Sequence, residues 1–154
     1  MLRGAMKKTL WDDEARTSLL RRLDALTPQS AAKWGRMNAG EMIAHLLSGM
    51  HLADGAIAAK PRRSPFRRWP LKYLFVYWVP FPKGAPAPRE IVTRGTPADW
   101  DANLGALRES IVEMASRDRH AAWPDHPVFG ALSGRAWGAL GWRHLDHHLR
   151  QFGV

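Results

Sequence analysis

Proline is distributed so unevenly along this chain that it separates the sequence into two parts with helical character. Seven of the eleven prolines lie in residues 55–89, which we call the crossover segment. Each proline fixes its φ angle and lacks the amide proton that a helix interior needs. We therefore expect the long helices before and after this segment. The chain has 154 residues, of which 45% are hydrophobic, and this is enough for one domain spanning residues 1–154.

Two helices are predicted before the crossover segment. The first begins after Thr9, with Asp12 at capping-box spacing, and its apolar positions continue to Leu26. The second begins after Asn38, where Glu41 completes a capping box, and ends at the glycine that opens the crossover segment.

Two further helices are predicted after the crossover segment. Thr96 is expected to cap the third helix, with Pro97 at its first position and Asp99 at the capping-box site. The last helix is expected to run from its N-cap, Ser133, to Gly153. Four long helices without an internal repeat predict an all-α fold, a four-helix bundle.

The crossover segment itself is basic and aromatic. It contains eight basic residues and no acidic residue, whereas the whole chain has a net charge of +9. The stretch "PLKYLFVYW" fits either a short helix with Pro70 in its first turn or a strand, and we favour the helix. An anionic substrate or an anionic membrane surface would suit this charge, but no nucleic-acid recognition motif accompanies it, so nucleic acid is not an expected partner. The longest apolar run, Tyr73–Phe81, is too short for a transmembrane segment.

The chain contains no cysteine. This excludes disulfide bonds, thiolate metal ligands and a cysteine nucleophile, so any thiol chemistry would need a thiol from another molecule. The first residues reach an acidic cluster before any apolar stretch of signal-peptide length, and we expect a cytoplasmic protein.

Three histidines are candidate metal ligands. His144 and His148 are four residues apart, so their rings share one face of the last helix, while His147 lies on the flank. His45 is the other histidine at the inner margin of a predicted helix. Neutral imidazoles suit zinc, nickel, copper or ferrous iron, and three ligands would leave coordination positions open. Alternatively, these histidines complement a helix dipole or form hydrogen bonds in the core.

The remaining polar candidates have structural alternatives. Glu41 could hydrogen-bond to a ligand histidine or act as a base, although its capping position already accounts for it. Gln151 continues the histidine face and could orient a metal-bound water, or simply bond to the backbone at the helix end. His51, His120 and His126 are expected on the surface or in turns.

Long stretches of the chain resemble a bacterial domain-of-unknown-function branch of the DinB-like superfamily, which includes YfiT-type proteins. The resemblance is carried by "KWGRMNAGEMIAHLL" and "HPVFGALSGRAWGALGWRHLDHHLRQFGV". The stretch "TLWDDEA" before them and the stretch "VPFPKGAP" between them add to it. It implies a bundle of up-down-down-up connectivity with a long crossover between helices two and three. It also implies a divalent metal ion held by His45, His144 and His148.

Characterised members of this superfamily include enzymes that bind a low-molecular-weight thiol on the metal and transfer its sulfur to an electrophile. The resemblance thus favours a metal-dependent enzyme, a thiol S-transferase or hydrolase, acting on a small molecule. The alternative is a non-catalytic metal-binding or stress-related interaction module. Homodimers also occur in the superfamily, so a homodimer is a further expectation.

Overall fold

The computed structural model describes residues 8–84, 91 and 99–154, and regular secondary structure there is helical. The five α-helices are α1 (Asp13–Asp24), α2 (Ala39–Asp54), α3 (Leu71–Tyr77), α4 (Trp100–Ser116) and α5 (Gly134–Gln151). A 3-10 turn spans Pro65–Arg67, and no strand forms in the described ranges. The four long helices α1, α2, α4 and α5 make the predicted all-α bundle, and α3 belongs to the crossover segment.

Two of the predicted helix starts are confirmed. Asn38 and Glu41 form a reciprocal capping box at the start of α2, and Gly55 ends the helix with φ of 87°. Such a positive φ favours glycine, which has no Cβ to clash with the backbone. Ser133 caps α5 by accepting a hydrogen bond from the amide of Ala136 at 3.2 Å. The last turn ends at Gln151, two residues before the predicted end.

The other two long helices begin later than predicted, and in both cases an aspartate is the cap. Asp12, not Thr9, caps α1, because its carboxylate accepts a hydrogen bond from the Ala15 amide at 2.7 Å. That helix also ends at Asp24, before the expected Leu26. Asp99 caps α4 in the same way.

The predicted cap Thr96 and first-turn Pro97 lie outside the described residues. The capping-box pattern had placed each acidic residue three positions inside its helix. A short aspartate side chain is itself a strong N-cap, and this preference decides both starts.

Contacts between helix ends establish the up-down-down-up connectivity. Helices α1 and α5 are parallel. Near their starts, the Leu10 amide donates to the Gly138 carbonyl at 3.1 Å. Near their ends, the Arg22 guanidinium forms an ion pair with the Asp146 carboxylate at 2.7 Å. Helix α2 runs the other way, because the Lys33 amide just before it donates to the carbonyl of the last residue of α5 at 2.7 Å.

Helix α4 is parallel to α2. Arg117, at the end of α4, lines the same surface groove as Asp54, at the end of α2. The ring of Trp123, in the loop after α4, lies 5.7 Å from the ring of Trp11 just before α1. The crossover segment therefore joins two parallel helices, and it must return along the length of the bundle to do so.

The hydrophobic core lies between the four long helices. Each contributes fully buried aliphatic side chains, such as Leu19, Ile43, Leu107 and Leu149, which are all 0% exposed. Truncating one such side chain to alanine typically costs about 2–5 kcal/mol. This core makes α2 and α5 rigid supports for the side chains between them.

The crossover segment is fixed to the bundle by α5 and the loop before it. The helix predicted in this stretch is confirmed as α3, and its Val76 is fully buried against the bundle. The Arg143 guanidinium on α5 donates to the carbonyls of Phe75 and Val79 at the end of α3. Lys72 donates to the Ala131 carbonyl at 2.9 Å. At least one basic residue of the segment, Lys72, therefore anchors it to the bundle. No helix among the described residues has the length and apolar character needed to cross a membrane.

Candidate metal centre

The three predicted histidines meet between α2 and α5. His45 lies in the second turn of α2, and His144 and His148 lie one turn apart on α5. Their ligand nitrogens are all within 4.8 Å of one another. Within the described part of the chain, this is the only group of three or more histidine, aspartate or glutamate side chains close enough to hold one metal ion.

A glycine makes room for this arrangement. The His144 ring lies against Gly49 of α2, where a Cβ atom would stand 3.2 Å from its Cε1 and Nδ1 atoms. Gly49 is one turn after His45, so the same face of α2 carries a ligand candidate and the space for a second. Sequence reasoning missed this role, because it depends on how two helices pack.

Two of the histidines are oriented by hydrogen bonds at Nδ1. Nδ1 of His45 lies 2.8 Å from the carbonyl of Ile91, and a carbonyl can only accept, so this nitrogen carries the proton. Nδ1 of His148 lies 2.7 Å from Oε1 of Gln151, whose Nε2 donates to the Trp34 carbonyl at 2.7 Å. Both rings therefore present an unprotonated Nε2, which is how metal-binding histidines are usually held.

The spacing of the ring nitrogens fits a shared ion. The Nε2 atoms of His45 and His144 are 3.0 Å apart. Two nitrogens each about 2.1 Å from one ion, at bond angles between 90° and 109°, lie roughly 3.0–3.4 Å apart. His45 and His148 are buried, whereas His144 keeps part of its surface accessible. The donor set could therefore hold one divalent metal ion.

Burial keeps these imidazoles neutral. It lowers the pKa of His45, although the hydrogen bond to Ile91 acts in the opposite direction. It lowers the pKa of His148 to about 3, with a further lowering from the charge of His45. Burial and the neighbouring histidines hold the pKa of His144 well below its ordinary value. All three are thus in the form that binds a metal at neutral pH.

Aromatic rings line one side of the triad. Phe81, near the end of the crossover segment, has its ring 6.1 Å from that of His144 and 5.8 Å from that of His147. His147 also contacts Trp34 at 6.0 Å, so it lies on the flank as predicted. The exposed Lys83 holds its Nζ 4.5 Å above the Trp34 ring. The site therefore has an apolar side wall with a cation at its outer edge.

Glu41 and Gln151, the two polar candidates near the triad, lie in different environments. The carboxylate of Glu41 accepts from the Asn38 amide at 3.0 Å, so its capping role is confirmed. Gln151 is buried and links His148 to the backbone at Trp34, which ties a ligand candidate to the loop before α2.

The other histidines have separate environments. His126 lies in a turn, as predicted, where its Nδ1 accepts hydrogen bonds from the amides of Val128 and Phe129 at 3.1 and 3.2 Å. Burial, with the nearby Arg67 charge, lowers the pKa of His126 to about 4. His120 is exposed in the loop after α4.

Comparison with curated proteins found no match, and neither did comparison with solved structures. A family model described as "Protein of unknown function (DUF1569)" matches residues 7–153, which include the three histidines, Gly49 and Gln151. Because the match covers nearly the whole sequence, the chain belongs to this family.

Proposed function

We propose that His45, His144 and His148 hold one divalent metal ion, and that the chain is a metal-dependent enzyme of the DinB-like type. The observation that carries the proposal is the meeting of three neutral imidazoles, two of which are oriented through Nδ1. The ion is zinc, nickel or ferrous iron, since all three accept imidazole ligands.

A divalent ion at this site would lower the pKa of a thiol or a water molecule that takes an open coordination position. Three protein ligands leave such positions open, as they do in catalytic zinc sites. The chain has no cysteine, so the thiol would be a low-molecular-weight compound. A cytoplasmic location, where such thiols stay reduced, is part of the proposal.

The surrounding residues support transfer of the thiol's sulfur to a small electrophile. Phe81 covers one side of the triad with an apolar ring and limits the access of water there. Lys83, at the outer edge, would attract the carboxylates that low-molecular-weight thiols carry. In the transfer, the thiol proton passes to solvent. The sulfur then forms a bond to the electrophilic carbon, and the leaving group departs with its electron pair.

A thiol titration of the cobalt-substituted protein tests this function. Cobalt(II) bound to the three histidines reports its ligands through visible absorption, and a thiolate that binds cobalt should add an intense charge-transfer band. We expect the band with a carboxylate-bearing thiol. Lys83→Gln should weaken thiol binding, whereas Lys60→Gln, a matched exposed lysine elsewhere in the crossover segment, should not.

Turnover then separates an enzyme from a binding module. Consumption of an electrophile such as an alkyl halide should require both the thiol and the metal. If metal binds but neither thiol nor water reacts at any metal loading, the non-catalytic module is the better account. If cobalt binds and thiols leave its spectrum unchanged, the thiol part of the proposal is wrong.

A further inference from the structure

Exposed apolar side chains are concentrated in one short part of the crossover segment. Among the described residues, six large hydrophobic side chains are exposed, and five of them lie between residues 69 and 78. These five are Trp69, Leu71, Tyr73, Leu74 and Trp78. Trp69 is 79% exposed and Trp78 is 65% exposed, although tryptophan is highly buried on average. Exposed apolar side chains grouped in this way are typical of an interaction site.

Three of these side chains follow helical spacing. Leu71, Leu74 and Trp78 occupy positions i, i+3 and i+7 of α3 and the residue that caps it, so they form one stripe. Val76, which lies away from this stripe, is fully buried against the bundle. The hydrogen bonds from Arg143 and Lys72 hold α3 in place. The exposed stripe is therefore a fixed feature of the fold.

Basic residues lie close to the stripe along the chain. Arg63 and Arg68 are exposed just before it, and the Lys72 Nζ lies 6.0 Å from the Tyr73 ring centre. No acidic residue occurs between Gly55 and Arg89. The patch thus combines exposed indole and leucine side chains with cations, and we call it the α3 face.

The combination of apolar side chains and positive charge favours one class of partner over the others. A second copy would bring two positive faces together, and their repulsion opposes a dimer through this surface. Nucleic acid would match the charge, but leucines do not stack on bases, and stacking is what aromatic side chains contribute to such sites. Tryptophan, tyrosine and leucine beside arginine and lysine are the residues that enter the interface of an anionic bilayer.

We propose that the α3 face binds an anionic lipid surface, with Trp69, Leu71, Leu74 and Trp78 entering the interfacial layer and Arg63 and Arg68 meeting the headgroups. The protein would then lie on the membrane without crossing it. This inference does not depend on the metal centre.

Co-sedimentation of the full chain with vesicles tests the proposal. Vesicles of phosphatidylcholine with phosphatidylserine should bind the protein, and binding should fall as salt rises. Vesicles of phosphatidylcholine alone should bind at least tenfold more weakly. Tryptophan emission should shift to shorter wavelength on binding, because indole leaves water. Equal binding to both vesicle types, or no binding to either, would overturn the proposal.

Matched variants identify the surface. Trp69→Ser with Trp78→Ser should reduce vesicle binding at least tenfold, whereas Val112→Ser should not, although Val112 on α4 is 53% exposed. Arg63→Gln with Arg68→Gln should reduce binding about tenfold to thirtyfold, at roughly 1 kcal/mol for each charge near the surface.

A control for net charge replaces two exposed arginines elsewhere, Arg21→Gln with Arg36→Gln, and should bind like the wild type. Circular dichroism and metal content should be unchanged in all variants. If the paired tryptophan variant binds vesicles normally, or instead abolishes dimer formation or DNA retention, the lipid surface is the wrong partner.

Discussion

Replacing Gly49 by alanine is expected to weaken metal binding while the bundle stays folded. The new Cβ would stand 3.2 Å from two atoms of the His144 ring, where ordinary contacts are 3.4–4 Å. The ring must then retreat by a few tenths of an ångström. Functional geometry is held within about 0.5 Å, so this displacement consumes much of the tolerance. We expect the Kd for zinc to rise about tenfold, which is about 1.4 kcal/mol.

Gly105 offers the matched control for this change. It lies in the middle of α4, and a Cβ there would meet no atom within 4 Å. Both substitutions gain helix propensity of roughly 0.8–1 kcal/mol, so Gly105→Ala should raise stability and leave zinc binding unchanged. Calorimetric zinc titration and thermal unfolding of the metal-free proteins measure the two effects separately. Equal zinc affinity in both variants would refute the idea that Gly49 positions His144.

Three other predictions address the surroundings of the site. Gln151→Leu removes both hydrogen bonds of the carboxamide and should weaken zinc binding about 10–100-fold by titration, whereas Gln151→Glu keeps an acceptor for His148 and should lose less. The pKa of His126 is about 4 in the native state against an ordinary 6.5. The neutral His126 side chain therefore stabilises the fold fully above pH 6.5. This stabilisation, up to about 3 kcal/mol, is lost as the pH falls towards 4. His126→Asn keeps an acceptor without titrating, and its urea midpoint should therefore change less between pH 7 and 4.5 than that of the wild type. Gly138→Ala would bring a Cβ into collision with the Trp11 indole nitrogen, so it should destabilise the fold by roughly 1–3 kcal/mol in urea unfolding without changing zinc affinity.

Local sequence signals predicted the parts of the fold that short-range physics controls. The capping box at Asn38 fixed the start of α2, and Ser133 fixed that of α5. The spacing of His144 and His148 put both rings on one face because a helix turns once in 3.6 residues. These features need only neighbouring residues, so the sequence was sufficient to find them.

Features that depend on packing were missed. The place of Gly49 under His144 follows from the register of two antiparallel helices. The hydrogen bonds from Arg143 to α3 join residues more than sixty positions apart, so the sequence did not reveal them. From its charge alone, the crossover segment was expected only to bind an anionic partner. The starts of α1 and α4 were predicted too early for a different reason. Each segment contains a threonine and, three residues later, an aspartate that can both cap a helix, and in the structure the aspartate is the cap.

Zinc titration of single histidine variants tests the central claim most directly. The wild type should bind one ion per chain, and replacing His45, His144 or His148 by glutamine should weaken binding at least a hundredfold, because each removes one of three ligands. His147→Gln alters the neighbouring histidine on the same helix and should bind zinc like the wild type. Zinc binding that survives His45→Gln, or that is lost equally in His147→Gln, would contradict the account.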